Sequence, residues 1–275
     1  MARLETSDDE QSSSASNQSV TMSARILGEL ANSAQPLGVT ELARRLDESK
    51  ARIFRHLSTM KQVGFVSQEN AGEEYQLGWN IYRLGVAAAE QFGLVRVANR
   101  HMAALRDQTQ ETTALAIPAS GDALVAGSVQ SERQIALSVK QGVVISANSS
   151  ALGRVILAFS PPAVQKKVLS RQLKSFSPFS IVDPAELQAR LDFVSKHWWE
   201  VAINENAYGI ATLAAPVFDD KDNILASVAI VASAMNLEKD PDPRLIEAVQ
   251  ACAAGISAEF NSSAWTRRLG GGTGR

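Results

Sequence analysis

Residues 39–66 constrain the fold more than any other stretch of the chain. A helix marked by Met22, Ile26, Leu27 and Leu30 precedes them, closed by Pro36 and Gly38. VTELARRL (39–46) then sets Leu42 and Leu46 inward and Glu41, Arg44 and Arg45 outward on a second short helix. Asp47 interrupts, and aspartate tolerates the left-handed backbone of a tight inter-helix turn. Ser49 is placed to cap a third helix over 50–62. At about 100° per residue, Ile53, Leu57 and Met60 share one side of it. Ala51, Arg55, Ser58 and Gln62 lie opposite, with Arg52 and Thr59 beside them. Alternating apolar residues then flank a polar turn containing Gly72, from Val63-Gly64-Phe65-Val66 to Tyr75-Gln76-Leu77, and read as a hairpin. Helix, helix, turn, helix, hairpin is the order of a winged helix-turn-helix.

The outer face of the third helix carries small and basic residues and no acid. Residues 40–62 hold six bases (Arg44, Arg45, Lys50, Arg52, Arg55, Lys61) against three acids (Glu41, Asp47, Glu48), in a chain of formal net charge −2. Acids of the hairpin (Glu69, Glu73, Glu74) cancel that surplus over the whole winged stretch. A helix so presented enters the major groove, where arginine grips guanine or phosphate and small residues permit close approach. The candidate DNA-contacting residues are Ser49, Lys50, Ala51, Arg52, Arg55, Ser58 and Thr59.

With 275 residues, 45% hydrophobic, the chain is long enough for two domains with sizeable cores. Residues 1–19 are polar and acidic and are expected to be a disordered tail. The winged domain is expected over 20–78, a linker helix over 79–95, a second domain over 96–262 and a flexible, Gly-rich tail over 263–275. Gly93 is expected to break the helical pattern that runs from Ile81 to about Asp107. Beyond it, β-rich stretches at 112–118, 123–128 and 135–140 precede helices near 149–159, 161–172 and 184–197. Strands near 200–204, 211–218 and 224–232 and a helix near 242–260 complete an α+β domain. A lone cysteine, Cys252, permits no internal disulfide. No signal peptide or membrane span is legible, so a cytoplasmic protein with no membrane partner is expected.

Catalysis has little to work with. His56, His101 and His197 fall in separate helices without metal-ligand spacing, and surface roles are expected of them. Cys252 lies among alanines, as a small core residue does. No GxSxG elbow occurs, and the terminal GGGTGR has no following helix. Neither an enzyme nor a cofactor nor a metal is expected. A protein-interaction module without sequence-specific DNA binding remains the alternative of another class.

Five segments in order resemble the IclR-type transcriptional regulators. They are residues 39–46 with SKARIFRHLSTMKQVGFV (49–66), YQLGWNIYRLG (75–85), ALGRVILAF (151–159), NENAYGIATLAAPVFD (204–219) and AAGISAEF (253–260). The resemblance implies an N-terminal winged helix-turn-helix, a linker helix and a C-terminal effector-binding domain of GAF/profilin-like α+β fold. It implies homodimers, or dimers of dimers, on palindromic promoter DNA. DNA contacts fall by resemblance on Ser49, Lys50, Ala51, Arg52 and Arg55, with a wing near 68–75. The effector lining falls on Leu137, Ile145, Ala151, Leu152, Ile210, Thr212, Ala229 and Val231, and the turn 151–153, ending at Gly153, offers N–H groups to a carboxylate.

The chain departs from the family at several points. Asp47-Glu48-Ser49 replaces Gly-Leu-Pro, Ala51-Arg52 replaces Ser-Thr, and Trp198-Trp199 stands where Gly-Tyr is common; one of these tryptophans is a candidate for the pocket side and the other for an exposed assembly surface. Serines expected at Ala229 and Val231, an acid near Ala202 and a histidine at Asn148 are missing. An apolar wall leaves a small, highly oxygenated anion unpaired. The expectation is therefore a repressor of a catabolic operon that senses an aromatic or otherwise hydrophobic organic acid. An activator sensing a small keto or hydroxy acid is the alternative.

Overall fold

In the computed structural model, which describes residues 7–68 and 73–270, Asp47 adopts the left-handed region expected of it (φ 53°, ψ 53°). There it closes α2 (Val39–Leu46), and Ser49 caps α3 (Lys50–Gln62) by accepting the Arg52 N–H at 3.3 Å. α1 (Ser7–Asn32) packs Met22, Ile26 and Leu30 against Leu42, Leu46, Ile53, Leu57 and Met60. β1 (Leu37–Gly38), β2 (Val66–Gln68) and β3 (Glu74–Leu77) pair antiparallel in the order β1-β3-β2. The hairpin lends Val66 and Tyr75 to the same core. α4 (Trp79–Phe92) follows, and this first unit ends at Phe92. α1 starts well before Val20, inside the segment read as a tail. The polar sequence there has no apolar period, so pattern reading could not find it. Residues 1–6 and the wing tip, 69–72, lie outside the described residues.

Gly93, at φ 49°, separates α4 from α5 (Leu94–Thr109), the first helix of the second unit. Its sheet comprises β4 (Thr112–Ala119), β5 (Asp122–Val129), β6 (Val144–Ile145), β7 (Glu200–Ile203), β8 (Ile210–Phe218) and β9 (Ile224–Ser233). They are ordered β6-β5-β4-β9-β8-β7, with every pairing antiparallel. The helices are α6 (Ala151–Ala158), α7 (Pro162–Leu169), α8 (Pro184–His197), α9 (Pro243–Glu259) and α10 (Ala264–Gly270). Asp183 and Asp242 cap α8 and α9, each followed by the proline that suits a first helical turn.

Two cores form on the two faces of this sheet. α5 and α9 bury Leu94, Met102, Val249, Cys252 and Ile256 against Leu115, Leu213, Val228 and Ile230. Burial pushes the Cys252 thiol up to about 12. On the other face, α6 and α8 bury Leu152, Val155, Ile156 and Val194 against Ala114, Ala214 and Ala229. Those three alanines are register partners across β4, β9 and β8. They make a low strip on which α6 lies close enough for Ser227 Oγ to donate to the Leu152 carbonyl at 3.0 Å.

Three expectations are corrected. Residues 135–140 form no strand, because β6 takes the edge of β5 at Ala123 and Leu124 and the preceding loop detours. Residues 264–270 are helical rather than a loose tail, anchored by the buried Trp265, whose indole N–H donates to the Pro216 carbonyl at 3.1 Å; residues 271–275 lie outside the described residues. Trp198 does not line the cavity between the sheet and the start of α6, and it is half-buried. It ends α8 at φ 64° and stacks among Phe159, Phe218 and Trp265 at 4.9–5.6 Å between centroids, while Trp199 meets Phe193 edge-on.

α6 also packs tightly against the 3₁₀ turn Ala147–Ser149. A Cβ on Gly153 would sit 2.7 Å from the Ala147 Cα and 3.1 Å from its nitrogen, backbone atoms with little room to yield. Gly153→Ala is therefore expected to destabilise the protein by about 1–3 kcal/mol. Urea titration checks this, and an unchanged midpoint refutes it.

Candidate DNA-reading face and ligand cavity

α3 presents Ser49, Lys50, Ala51, Arg55 and Thr59 to solvent, with Arg52 and Ser58 half-buried. Its six-to-three charge surplus resolves clearly. Glu41 is chelated by Arg44 and Arg45 at 2.7–2.9 Å, and these hydrogen bonds pull its carboxyl down to about 2. Arg52 Nη1 donates to both Glu48 oxygens at 3.0 Å, and Arg25 of α1 lies 3.8 Å from the same carboxylate. Lys61 donates to the neutral Gln68. Lys50 and Arg55 make no side-chain hydrogen bond or ion pair among the described residues. The uncompensated cations are thus Lys50, Arg55 and Lys61. Arg52 is tied back across the turn, an arrangement that the Glu48/Arg52 spacing (i, i+4) announces. His56 faces α1, with Nδ1 3.1 Å from Ser23 Oγ. Burial, then Arg52 and Arg55, lower its pKa below the ordinary imidazole value.

In the second unit a cavity of about 200 Å³ opens between the sheet and the start of α6. Of the expected lining, Leu137, Ile145, Leu152, Ile210, Thr212 and Val231 meet there. Thr212 and Val231 are register partners on β8 and β9, and Ala202 on β7 extends their row. Ala151, Gly153 and Ala229 do not line it. Ala151 and Ala229 belong to the core under α6, and the Gly153 N–H already donates to Ser150 Oγ. The wall is also less apolar than expected. Ser138, Lys140, Ser149, Ser150, Glu205 and Asn206 reach it, and Lys140 has no partner among the described residues. Loop residues carry no periodicity, so nothing in the pattern pointed to them. Asn148, at the family's histidine position, is buried outside the lining and donates to the Lys174 and Ile181 carbonyls at 2.9 and 2.8 Å.

The largest feature missed is Arg154, fully buried on α6. It donates to Glu205 at 2.6 and 2.9 Å, to Glu200 at 3.2 Å and to the Val201 carbonyl at 3.3 Å. Arg190 of α8 completes the chain at 2.7 Å from Glu200. Burial opposes the charge on Arg154, but Glu200 and Glu205 together outweigh it and hold the guanidinium protonated. Burial raises the pKa of Glu205, against the pull of Arg154. The network fixes one cavity wall, since Glu205 lines it. Removing one partner strands buried charge. Arg154→Met is expected to cost about 3–5 kcal/mol, read from denaturant midpoints; a loss under about 1 kcal/mol contradicts that.

His101 departs from its expected surface role. It is partly buried against Gly255, and its Nε2 lacks a hydrogen-bond partner among the described residues, with a Glu259 oxygen 3.9 Å away. No group of three or more metal-ligating side chains occurs among the described residues. No helix among them is long and apolar enough to cross a membrane.

Comparison with known proteins matches both units. The model described as the IclR helix-turn-helix domain matches residues 19–70, and that described as the bacterial transcriptional regulator IclR C-terminal domain matches 86–258. Among curated proteins, the HTH-type transcriptional regulator KdgR of Dickeya chrysanthemi is 28% identical over 82% of this chain and 74% of its own length. An IclR transcriptional regulator from a Silicibacter species superposes with a TM-score of 0.80 at 21% identity, covering 89% of this chain and 96% of that one. An IclR homologue from Microbacterium hydrocarbonoxydans, solved with 4-hydroxybenzoate, superposes at 0.71 and 19% identity over 88% of this chain and 98% of its own.

Proposed function

The chain belongs to the IclR family of bacterial transcriptional regulators, and from that premise we propose that it is a repressor of a catabolic operon, released by a hydrophobic organic acid. It is a DNA-binding regulator and not an enzyme. A homodimer, or a dimer of dimers, places two copies of α3 in successive major grooves about 34 Å apart on palindromic promoter DNA. Arg55 and Lys50 supply the free positive charge, Ala51 and Ser58 permit close approach, and Ser49 and Thr59 flank them. Arg52 acts chiefly by bracing the turn through Glu48. Arg55→Ala is expected to weaken binding to all sequences and to lower the salt dependence of log K by about one phosphate contact. Fluorescence anisotropy over a salt series checks it. An unchanged slope removes Arg55 from the phosphate contacts.

The observation that carries the ligand reading is the mixed lining of the cavity. Leu137, Ile145, Leu152, Ile210 and Val231 provide apolar surface, while Lys140, Ser149, Ser150, Glu205 and Asn206 provide polar groups. That mixture suits an acid with one carboxylate and an apolar ring. The Lys140 ammonium is the free cation for the carboxylate. Ligand binding must favour one state of the protein over another, since equal affinity for both shifts nothing. α4, which leads the chain to Gly93, carries the response.

Calorimetry with 4-hydroxybenzoate and glyoxylate is the test. Binding of the aromatic acid, weakened about tenfold or more in Lys140→Gln, supports the reading. Tight binding of glyoxylate alone replaces it with the small keto-acid sensor. DNA affinity without operator preference points instead to an interaction module.

A further inference from the structure

Phe54 is left without a partner by everything above. It lies on α3, buried on neither side, with 55% of its surface exposed. On a helix, the surface neighbours of a residue are those three and four positions away. For Phe54 these are Lys50, Ala51, Leu57 and Ser58. Leu57 is buried in the core. The other three are a free cation and two small residues of the proposed DNA-reading face. The ring therefore stands proud of that face. On its far side it borders a groove lined by Thr40, Glu41, Gln68, Glu73, Glu74 and Tyr75, and more than half of it stays exposed.

A phenyl ring has no hydrogen-bond donor or acceptor. Exposing one on a helix that faces water costs apolar burial without return. In a major groove the matching apolar group is the C5 methyl of thymine, which cytosine lacks. The cations beside it favour the polyanion over an acidic protein surface. We propose that Phe54 is a specificity-determining residue that reads the thymine methyl, so that each half-site carries a thymine at a fixed position. This rests on the reading of α3 as the base-reading helix.

The experiment begins with the full chain selecting duplexes from a randomised library. In the selected duplex each dT is replaced in turn by dU, which deletes only the methyl. The expected result is one symmetric position per half-site where dU lowers wild-type affinity about fivefold or more. In Phe54→Ala that penalty should vanish, while cation-dependent positions keep theirs. 5-Methylcytosine with its guanine partner at the same position should recover part of the wild-type affinity relative to cytosine. A dU penalty that persists in Phe54→Ala, or is absent from the wild type, overturns the assignment to Phe54 and leaves base reading by the polar groups of α3 standing. A library that yields no preferred sequence overturns the reading of α3 itself. Unchanged far-UV circular dichroism and melting of Phe54→Ala show that lost discrimination is not lost fold.

Discussion

A guanidinium with no access to water organises the ligand-binding half of this protein. Arg154 rises from α6, meets Glu200 at the start of β7 and Glu205 in the loop beyond its end, and touches the Val201 carbonyl. Burying such a charge is costly unless several acceptors surround it. The fold supplies them from positions far apart in sequence. Ser177 and Ser180 add to the hold on the Glu205 segment by donating to its carbonyl at 3.0 and 2.7 Å. α6, β7 and the 204–209 loop are thereby locked in mutual register, and the cavity wall inherits that register.

A second clamp works on the turn that precedes α6. Arg171 bonds both oxygens of Asp122, which also accepts the Ala147 N–H at 3.0 Å and the Ser146 hydroxyl. It fixes the turn that leads into Ser149 and Ser150. Ser149, Ser150 and Glu205 of the cavity lining thus rest on two ion-paired supports, whereas its strand residues rest on register. A ligand that demands a different cavity shape meets resistance from both.

Local chemistry was legible wherever one residue suffices to state it. Asp47 announced a left-handed turn, Ser49 a cap, Asp183-Pro184 a helix start, and Gly93 a break. The apolar runs over 211–218 and 224–232, with a polar turn between them, announced strands. Arg154 was opaque for the opposite reason. An arginine on an apolar helix looks like a misplaced surface residue until Glu200 and Glu205, some fifty positions on, are folded beside it. The cavity divided in the same way. Its strand residues Thr212 and Val231 followed from family likeness, but Lys140 and Asn206 sit on loops whose course depends on the whole sheet edge. Ala229 falls in the core under α6, because a strand face is shared between a helix and a hole and sequence does not say where one ends.

The sealed thiol of Cys252 has a practical reach beyond packing. With its proton held to about pH 12, it presents almost no thiolate at neutrality. Alkylation of that sulfur therefore waits on opening of the α9 layer, and its rate follows how often this half of the molecule breathes.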